Sequence, residues 1–256
     1  MISQSKKITK NYSNINYFDS KTIIFACLIL EMEDFLAKLK ININENVFVK
    51  DPESSSLGKK IISGSIELIE EQGFELFTLK KLSKNIKSTE ASIYRYFENK
   101  HKVLLYLTSW YWSWMEYRVA IAMVNIKDAE ERLVRVLGAV TEQVEEDGSF
   151  RHVDERKLQK IIFTESSKAL FTKSVGIQNK KGIYSSYKNL IEEISNLILE
   201  INSDYKYPHM LVSTVIEAAN HQRFFAQHLP SLTDTVKNED AISKFYEEMV
   251  LKLIKS

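Results

Sequence analysis

The stretch that decides the fold is residues 78–100, which read TLKKLSKNIKSTEASIYRYFENK. Its first part predicts a short helix, because the Thr78 hydroxyl can accept a hydrogen bond from an unpaired backbone N–H one turn along the chain. Apolar residues follow at helical spacing and give this helix one buried face. They are Leu79, Leu82 and Ile86.

The second part of the stretch predicts another short helix after a tight corner. Ser88 or Thr89 offers an N-cap, and Ile93 and Phe97 are the strongly apolar residues that can anchor the helix. The other positions carry hydroxyls, a carboxylate and a guanidinium, which suit phosphate oxygens and base edges better than a core. The pattern is typical of a DNA-reading helix-turn-helix, although a helical hairpin with a solvated face has the same pattern.

A third helix is predicted to begin at Asn99, which is a good N-cap. Its first turn carries Lys100, His101 and Lys102, and cations are unfavourable there because the N-terminal end of a helix is itself positive. A phosphate at this position would be attracted by the free N–H groups, the helix dipole and the lysines together.

These residues closely resemble the DNA-binding domain of the TetR/AcrR family of transcriptional regulators. The resemblance rests on Phe74, Thr78, Leu82 and the segment 92–100, which has the family's pattern of a small hydroxyl residue, an aliphatic residue, Tyr-x-Tyr-Phe and a capped Lys. At the corner the family usually has Ala-Gly-Val, whereas this chain has Ile-Lys-Ser at positions 86–88. The corner lacks its glycine, so a positive φ there would strain the lysine mildly.

The resemblance implies a role for each predicted DNA-binding residue. Lys80 and Glu90 would reach base edges, with Glu90 accepting from cytosine N4, and Ala91 would contact a thymine methyl group. The residues that would hold phosphates are Thr78, Ser92, Tyr94, Arg95, Tyr96 and Lys100.

Composition favours an all-α fold. The chain has 256 residues, 44% of them hydrophobic, which suffices for one small and one medium domain, and it has only 7 Gly and 3 Pro. Its net charge is only +1, but residues 57–110 hold nine basic and six acidic residues, so positive charge is concentrated around the hairpin. One cysteine, Cys27, permits neither an internal disulfide nor a CxxC zinc site, which fits a reducing cytoplasm.

Residues 1–55 are interpreted as an N-terminal extension and linker. The apolar run 23–30 is far shorter than the roughly 20 residues that span a bilayer, and acidic residues follow it where a secretory cleavage site needs small ones. Neither a signal peptide nor membrane contact is expected. The segment before Met32 is rich in Asn, Tyr and Ser and lacks helical periodicity, whereas residues 33–39 are amphipathic. A translation start at Met32 would leave residues 1–31 outside the native protein.

The rest of the chain predicts helices in two domains. A helix over 57–72, ended by Gly73, would complete an N-terminal three-helix helix-turn-helix domain at residues 56–105. A larger helical domain at residues 106–256 would bind an effector and dimerise. The predicted helices from Asn99 onward are 99–117, 128–145, 155–175, 188–201, 208–228 and 240–254.

The helix that begins at Asn99 joins the two domains and is apolar on every side. All three tryptophans of the chain lie within residues 110–114, and core packing is the first explanation of such a cluster. Because of the helix's position, Trp110, Trp114 and Tyr117 are also candidates for lining or coupling a pocket for an unidentified small-molecule effector. No cofactor is predicted.

By the same resemblance the chain forms a homodimer through its last long helices, and two recognition helices read a palindromic operator. Ala218 and Ala219 would let a partner helix approach closely, with Phe224 and Phe225 as anchors.

Three histidines in the C-terminal half are candidate metal ligands. His209, His221 and His228 lie near Glu217, but isolated histidines on helices usually make ordinary hydrogen bonds, and no metal is predicted. The chain has no glycine-rich phosphate loop, GxSxG or HExxH motif, so no enzymatic activity is predicted.

The sequence thus predicts a cytoplasmic, homodimeric, ligand-responsive DNA-binding regulator, in the first place a repressor, whose effector shifts the dimer to a half-site spacing that no longer fits DNA. Two alternatives remain open. One is an all-helical interaction module whose hairpin has lost DNA binding, suggested by the near-neutral charge and the missing turn glycine. The other is a helical enzyme with an aromatic-lined pocket.

Overall fold

The computed structural model describes residue 41, residues 43–144 and residues 150–256, and this part of the chain is helical. It contains no strand, and an isolated bridge joins Val236 to Glu239. The all-α prediction is confirmed, whereas the predictions for residues 1–31 lie outside the described residues.

The described part of the chain has ten α-helices. They are α1 Ser56–Leu76, α2 Leu79–Asn85, α3 Glu90–Tyr94, α4 Lys100–Met123, α5 Ala129–Thr141, α6 Glu155–Leu170, α7 Val175–Lys180, α8 Ser185–Ile201, α9 Pro208–His228 and α10 Ala241–Lys255. Short 3-10 helices cover Glu45–Val47, Pro52–Ser54 and Pro230–Leu232.

Side-chain caps begin the helices around the predicted hairpin. Thr78 Oγ1 accepts from the Lys81 N–H, and Thr89 Oγ1 accepts from the Ser92 N–H. Asn99 Oδ1 accepts from the Lys102 N–H. The predicted caps are confirmed, with Thr89 rather than Ser88 opening α3.

The predicted helix 155–175 is wrong at its C-terminal end, because α6 stops at Leu170 and a separate helix, α7, begins at Val175. The apolar face that drives helix packing runs out here: Phe171 is 86% exposed. Extending α6 would therefore bury little more apolar surface. The predicted helix 128–145 is likewise shorter, since α5 ends at Thr141.

Regular helical geometry in α1 is interrupted at Gly73, where the sequence predicts the helix to stop. Gly73 takes φ 77° and ψ 159°, a conformation that glycine adopts far more readily than other residues, and one further helical turn follows to Leu76. Gly73 therefore makes a kink near the end of α1, and the kink lies beside the N-terminus of α2.

The central helix of the fold is α4, which runs without a break across the predicted domain boundary between residues 105 and 106. It packs against α5, α6 and α8 and is buried on all sides over much of its length. Trp110 is 1% exposed and lies edge-on to Phe150 and stacked on Trp114, with ring centroids 5.0 and 6.2 Å away. The tryptophan cluster is therefore core packing first of all.

The described part of the predicted linker is packed on the fold rather than free. Val47 is completely buried, and the Val49 N–H donates to the Tyr96 carbonyl at 2.8 Å. The Asn44 side chain donates to the carbonyl of Lys181 at 2.9 Å. We call residues 43–55 the strap, since this segment contacts both the hairpin and the C-terminal end of α7.

The last helices leave one face of α9 uncovered. Met210, Thr214 and His221 are exposed and share that face with the half-buried Ala218. Ala219 is buried within the subunit, so the prediction that it meets a partner helix is wrong. No helix of the described chain is long and apolar enough to cross a bilayer.

Candidate nucleic-acid interface

The corner between α2 and α3 has the strained residue that the missing glycine predicts. Lys87 has φ 53°, in the left-handed region that non-glycine residues seldom adopt. Two backbone hydrogen bonds hold the corner: the Lys87 N–H donates to Lys84 and the Ser88 N–H donates to Ser83, at 3.3 and 2.8 Å. The hairpin therefore keeps a tight turn without its glycine.

Buried side chains fix the two helices of the hairpin against α1. Leu82 of α2 and Ile93 of α3 are completely buried, and Ile61 of α1 lies in the same core. Gly64 of α1 makes the approach possible, because a Cβ there would lie 2.5 Å from the Ile86 side chain. The outer face of the hairpin is thereby held in one orientation.

That outer face carries most of the predicted DNA-binding residues. Thr78, Lys80, Ala91 and Arg95 are exposed, and Tyr94 is 48% exposed. Within the described part of the chain, no carboxylate pairs with Lys80 or Arg95. Both cations are therefore available to an external anion such as a phosphate.

Two further lysines belong to this face and were missed as site residues. Lys84 and Lys87 are exposed, and neither is paired with a described carboxylate. Lys80 and Lys84 lie four residues apart on α2 and share one face of it, while Lys87 lies beyond the end of α2, in the corner. The spacing of Lys80 and Lys84 in the sequence could have identified Lys84.

The half-buried Glu90 and Ser92 are tied into local contacts. The Ser92 hydroxyl lies 2.8 Å from Thr89 Oγ1, and the Tyr94 hydroxyl donates to Glu90 Oε1 over a long 3.4 Å. The second contact is too long to hold Tyr94 firmly. Glu90 and Tyr94, the first and last residues of α3, therefore make only a weak contact with each other.

Tyr96 does not have the free side chain that a phosphate contact assumes. It is only 4% exposed, and its hydroxyl lies 2.8 Å from Ser55 Oγ of the strap. The hydrogen bond with Ser55 lowers the pKa of the Tyr96 phenol, burial acts in the opposite direction, and Lys50, whose Nζ lies 5.2 Å from the ring, lowers it further. Tyr96 and Phe97 are buried, whereas Tyr94 is exposed. Of the two tyrosines of the motif, Tyr94 is therefore the one available to DNA, and Tyr96 supports the hairpin from inside.

Lys100 also has a different contact from the one predicted. Its Nζ donates to the carbonyls of Phe74 and Glu75, at 3.0 and 3.1 Å, and lies 4.7 Å from the centroid of the Phe74 ring. A cation is favourable at these carbonyls, because the C-terminal end of a helix is negative. Lys100 thus caps the last turn of α1 instead of facing outward.

The kink of α1 is held from the second half of the chain. The Phe74 N–H donates to Glu165 Oε1 of α6 at 3.0 Å, and the other Glu165 oxygen lies 2.7 Å from Lys168 Nζ. Lys168 also pairs with Glu75 at 3.2 Å. One carboxylate and one ammonium therefore join α6 to the helix that supports the hairpin.

Two of the cavities in the described part of the chain are lined mainly by helices outside the hairpin. The larger, about 640 Å³, is lined by Trp114 and Arg118 of α4, by Glu142 and by residues 234–236 and 239–242. The Arg118 guanidinium carbon lies 5.0 Å from the Trp114 ring centroid. Of the three aromatic residues predicted for a pocket, Trp114 is therefore a lining residue here, while Trp110 is packed in the core.

The smaller cavity, about 410 Å³, lies between α1, α6 and α9. It reaches Gly73 and Glu165, and so it includes the kink of α1.

The histidines that were candidate metal ligands make other contacts. His209 pairs with Glu192 at 2.8 Å, and the His228 ring packs on Phe224 with ring centroids 4.5 Å apart. In the described residues no group of three His, Cys, Asp or Glu side chains could hold a metal ion.

Solved structures share this fold at low sequence identity. The fatty acid degradation regulator FadR from Bacillus halodurans is 17% identical with a TM-score of 0.53, covering 76% of this chain and 93% of its own. A tetR-family regulatory protein from Rhodococcus RHA1 is 14% identical with a TM-score of 0.55, covering 78% and 97%. The superantigen PfiT is also similar, at 14% identity and a TM-score of 0.54, covering 79% and 97%. These similarities establish the fold alone, since proteins of different function share it.

The sequence of the hairpin region is more specific than the fold. No curated protein sequence matches the chain. Residues 61–107, however, match the model of the tetR family of bacterial regulatory proteins, and this segment contains α2, the strained corner, α3 and the start of α4. Residues 61–107 therefore match the helix-turn-helix segment of the tetR family of bacterial regulatory proteins.

Proposed function

We propose that the chain is a homodimeric, cytoplasmic repressor that binds a palindromic operator through the hairpin and leaves it when a small molecule binds. Residues 56–105 act as the DNA-binding domain, and residues 106–256 bind the effector and form the dimer. The observation that carries DNA binding is a set of exposed cations, Lys80, Lys84, Lys87 and Arg95, which pair with no described carboxylate and lie on the segment that matches the family model.

The contacts assigned to the hairpin divide into two groups. Lys80, Glu90 and Ala91 read base edges in the major groove. Phosphates are held by the hydroxyls and cations around them, which are exposed except for the half-buried Ser92. These are Thr78, Ser92, Tyr94, Arg95, Lys84 and Lys87. Tyr96 and Lys100 orient the hairpin from behind, through Ser55 and through the end of α1.

Dimerisation is supported by the uncovered face of α9. Met210 is 68% exposed, and Thr214, Ala218, His221 and Phe225 continue its stripe at helical spacing. A small residue in the middle of the stripe lets a partner helix approach closely, and apolar residues at both ends can pack on it.

A titration of the purified protein with duplex DNA from its own upstream region, at two salt concentrations, tests DNA binding. Affinity that falls steeply with salt indicates phosphate contacts. Absence of binding at low salt would instead favour the alternative, an interaction module with an inactive hairpin.

Sedimentation tests the dimer independently of DNA. The wild-type mass should be about twice 29.8 kDa, and Ala218→Arg should shift it toward 29.8 kDa, because a long charged side chain then occupies the middle of the stripe. A dimer unaffected by Ala218→Arg would exclude this face of α9 as the interface.

A further inference from the structure

The smaller cavity has the position of a site that could control α1. Its lining comes from α1, from α6 and from the C-terminal end of α9, so that a molecule bound there would contact the helix behind the hairpin directly. We propose that this cavity is the effector site and that its ligand is a small carboxylate with an apolar body. The regulatory part rests on the proposed function, whereas ligand binding can be tested without DNA.

The size and walls of the cavity fit an apolar body. A volume of about 410 Å³ is in the range of small-molecule pockets, about 300–1,000 Å³. Its apolar lining consists of Ile69 of α1, Ile161 and Phe163 of α6, and Phe224 of α9. Phe224 is one of the exposed large hydrophobic residues, and an apolar ligand would cover it.

The charges that line the cavity leave a positive excess. Lys160 is paired with Glu70 at 3.2 Å, and the Glu165 carboxylate is occupied by Lys168 and the Phe74 N–H. Arg156, one turn before Lys160 on α6, is exposed and makes no ion pair with a described residue. An anionic ligand head would satisfy Arg156 without breaking an existing pair, and a guanidinium binds a carboxylate in a bidentate geometry.

The larger cavity offers no comparable unpaired cation to an anionic ligand. Its Arg118 is already paired with Glu142, and its Arg223 pairs with Asp240 at 2.6 Å and donates to the Thr141 carbonyl. An anion would have to displace one of these carboxylates. The larger cavity also has no lining residue from α1, so a ligand there does not touch the hairpin's support.

The smaller cavity reaches the place where α6 is joined to α1. Gly73, at the kink, and Glu165, which binds the next N–H along the chain, both line it. A ligand that favours one spacing of α1 and α6 would shift the hairpin by changing this joint. Coupling between two sites typically alters affinity about 5- to 150-fold, and we expect operator affinity to fall within that range.

Calorimetric titration of the full chain with decanoate tests the site. We expect saturable binding of decanoate, binding at least about tenfold weaker for decanol, and none for decylammonium, because Arg156 selects the anion. Arg156→Gln should weaken decanoate binding at least about tenfold, whereas Arg151→Gln, an exposed arginine outside the cavity lining, should change it less than twofold. Thr164→Trp, at an exposed lining position of α6, should abolish binding by filling the cavity while leaving the fold intact.

The outcomes separate this inference from the proposed function. Absence of decanoate binding, or binding that survives both Arg156→Gln and Thr164→Trp, would overturn the site, even if the protein binds its operator. Decanoate binding that follows the variants as expected supports the site, even if no DNA is bound. If decanoate binds in the cavity but leaves operator affinity unchanged, the regulatory part of the inference is overturned.

Discussion

Glu165 of α6 accepts a hydrogen bond from the backbone N–H of Phe74, 91 residues earlier in the chain, at 3.0 Å. The contact is buried and lies next to Gly73, where the backbone of α1 leaves helical geometry. Such a kink frees a backbone N–H, which must find another partner when water is excluded. A side chain from the second half of the fold is that partner.

Removing the carboxylate should therefore destabilise the fold. Glu165→Ala leaves a buried N–H without a partner and should lower the free energy of unfolding by about 1–3 kcal/mol. Glu165→Gln should cost less, because its amide oxygen can still accept from Phe74. Urea denaturation of both variants provides the comparison, and equal losses would mean that the hydrogen bond contributes nothing beyond the charge.

At the strained corner, by contrast, a substitution should stabilise the fold. Lys87→Gly should raise the free energy of unfolding by about 0.5–1 kcal/mol, because glycine tolerates φ 53° while its greater freedom in the unfolded chain offsets part of the gain. Lys84→Gly, in the last turn of α2 with ordinary helical geometry, should lower it by up to about 1 kcal/mol. Destabilisation by both substitutions would contradict the strain at position 87.

The strap should contribute to stability, although its sequence resembles a linker. Val47→Ala removes two methyl groups from a completely buried site and should cost about 1–3 kcal/mol. Val49 lies two residues away and is 60% exposed, so Val49→Ala should stay within about 0.5 kcal/mol. Similar small effects in thermal unfolding would mean that residues 43–55 are a free linker after all.

His101 should make stability depend on pH on the acidic side of neutrality. Burial lowers the pKa of this imidazole, Lys102 lowers it further, and the ring lies 3.3 Å from the Gln178 amide of α7. The folded state therefore resists a proton that the unfolded chain takes up below its ordinary pKa of about 6.5. Its contribution is complete above that pH and is lost as the pH falls below it.

The measurement is the melting temperature of wild type and His101→Gln between pH 7.5 and 5. The wild type should lose more stability than the variant as the pH falls, and the difference between the curves isolates His101 from the other four histidines. Parallel curves would show that His101 titrates alike in both states.

The hairpin was predictable because its signals are local. Thr78 and Asn99 are capping residues whose partners lie three positions along the chain, and Ile93 and Phe97 are spaced for one helix face. The missing glycine could be read as strain at Lys87 for the same reason, since turn geometry depends on a few consecutive residues.

The contacts of Tyr96, Lys100 and the strap were not predictable because they depend on distant segments. The Tyr96 hydroxyl meets Ser55, 41 positions away, and Asn44 meets the Lys181 carbonyl, 137 positions away. The sequence does not indicate whether a tyrosine or lysine next to an exposed motif points toward solvent or toward the core. The same holds for Glu165, which looks in the sequence like any other acid on an amphipathic helix.

The central claim is that the exposed cations of the hairpin bind DNA phosphates. The most direct test is the slope of log affinity against log salt for the protein's own upstream DNA, measured by fluorescence anisotropy for wild type, Arg95→Ala and Lys127→Ala. Lys127 is exposed in the loop after α4, outside the hairpin, and serves as the control. We expect Arg95→Ala to weaken binding and reduce the slope by about 1, and Lys127→Ala to match wild type. No binding by wild type at low salt, or an unchanged slope in Arg95→Ala, would contradict the assignment of DNA binding to this face.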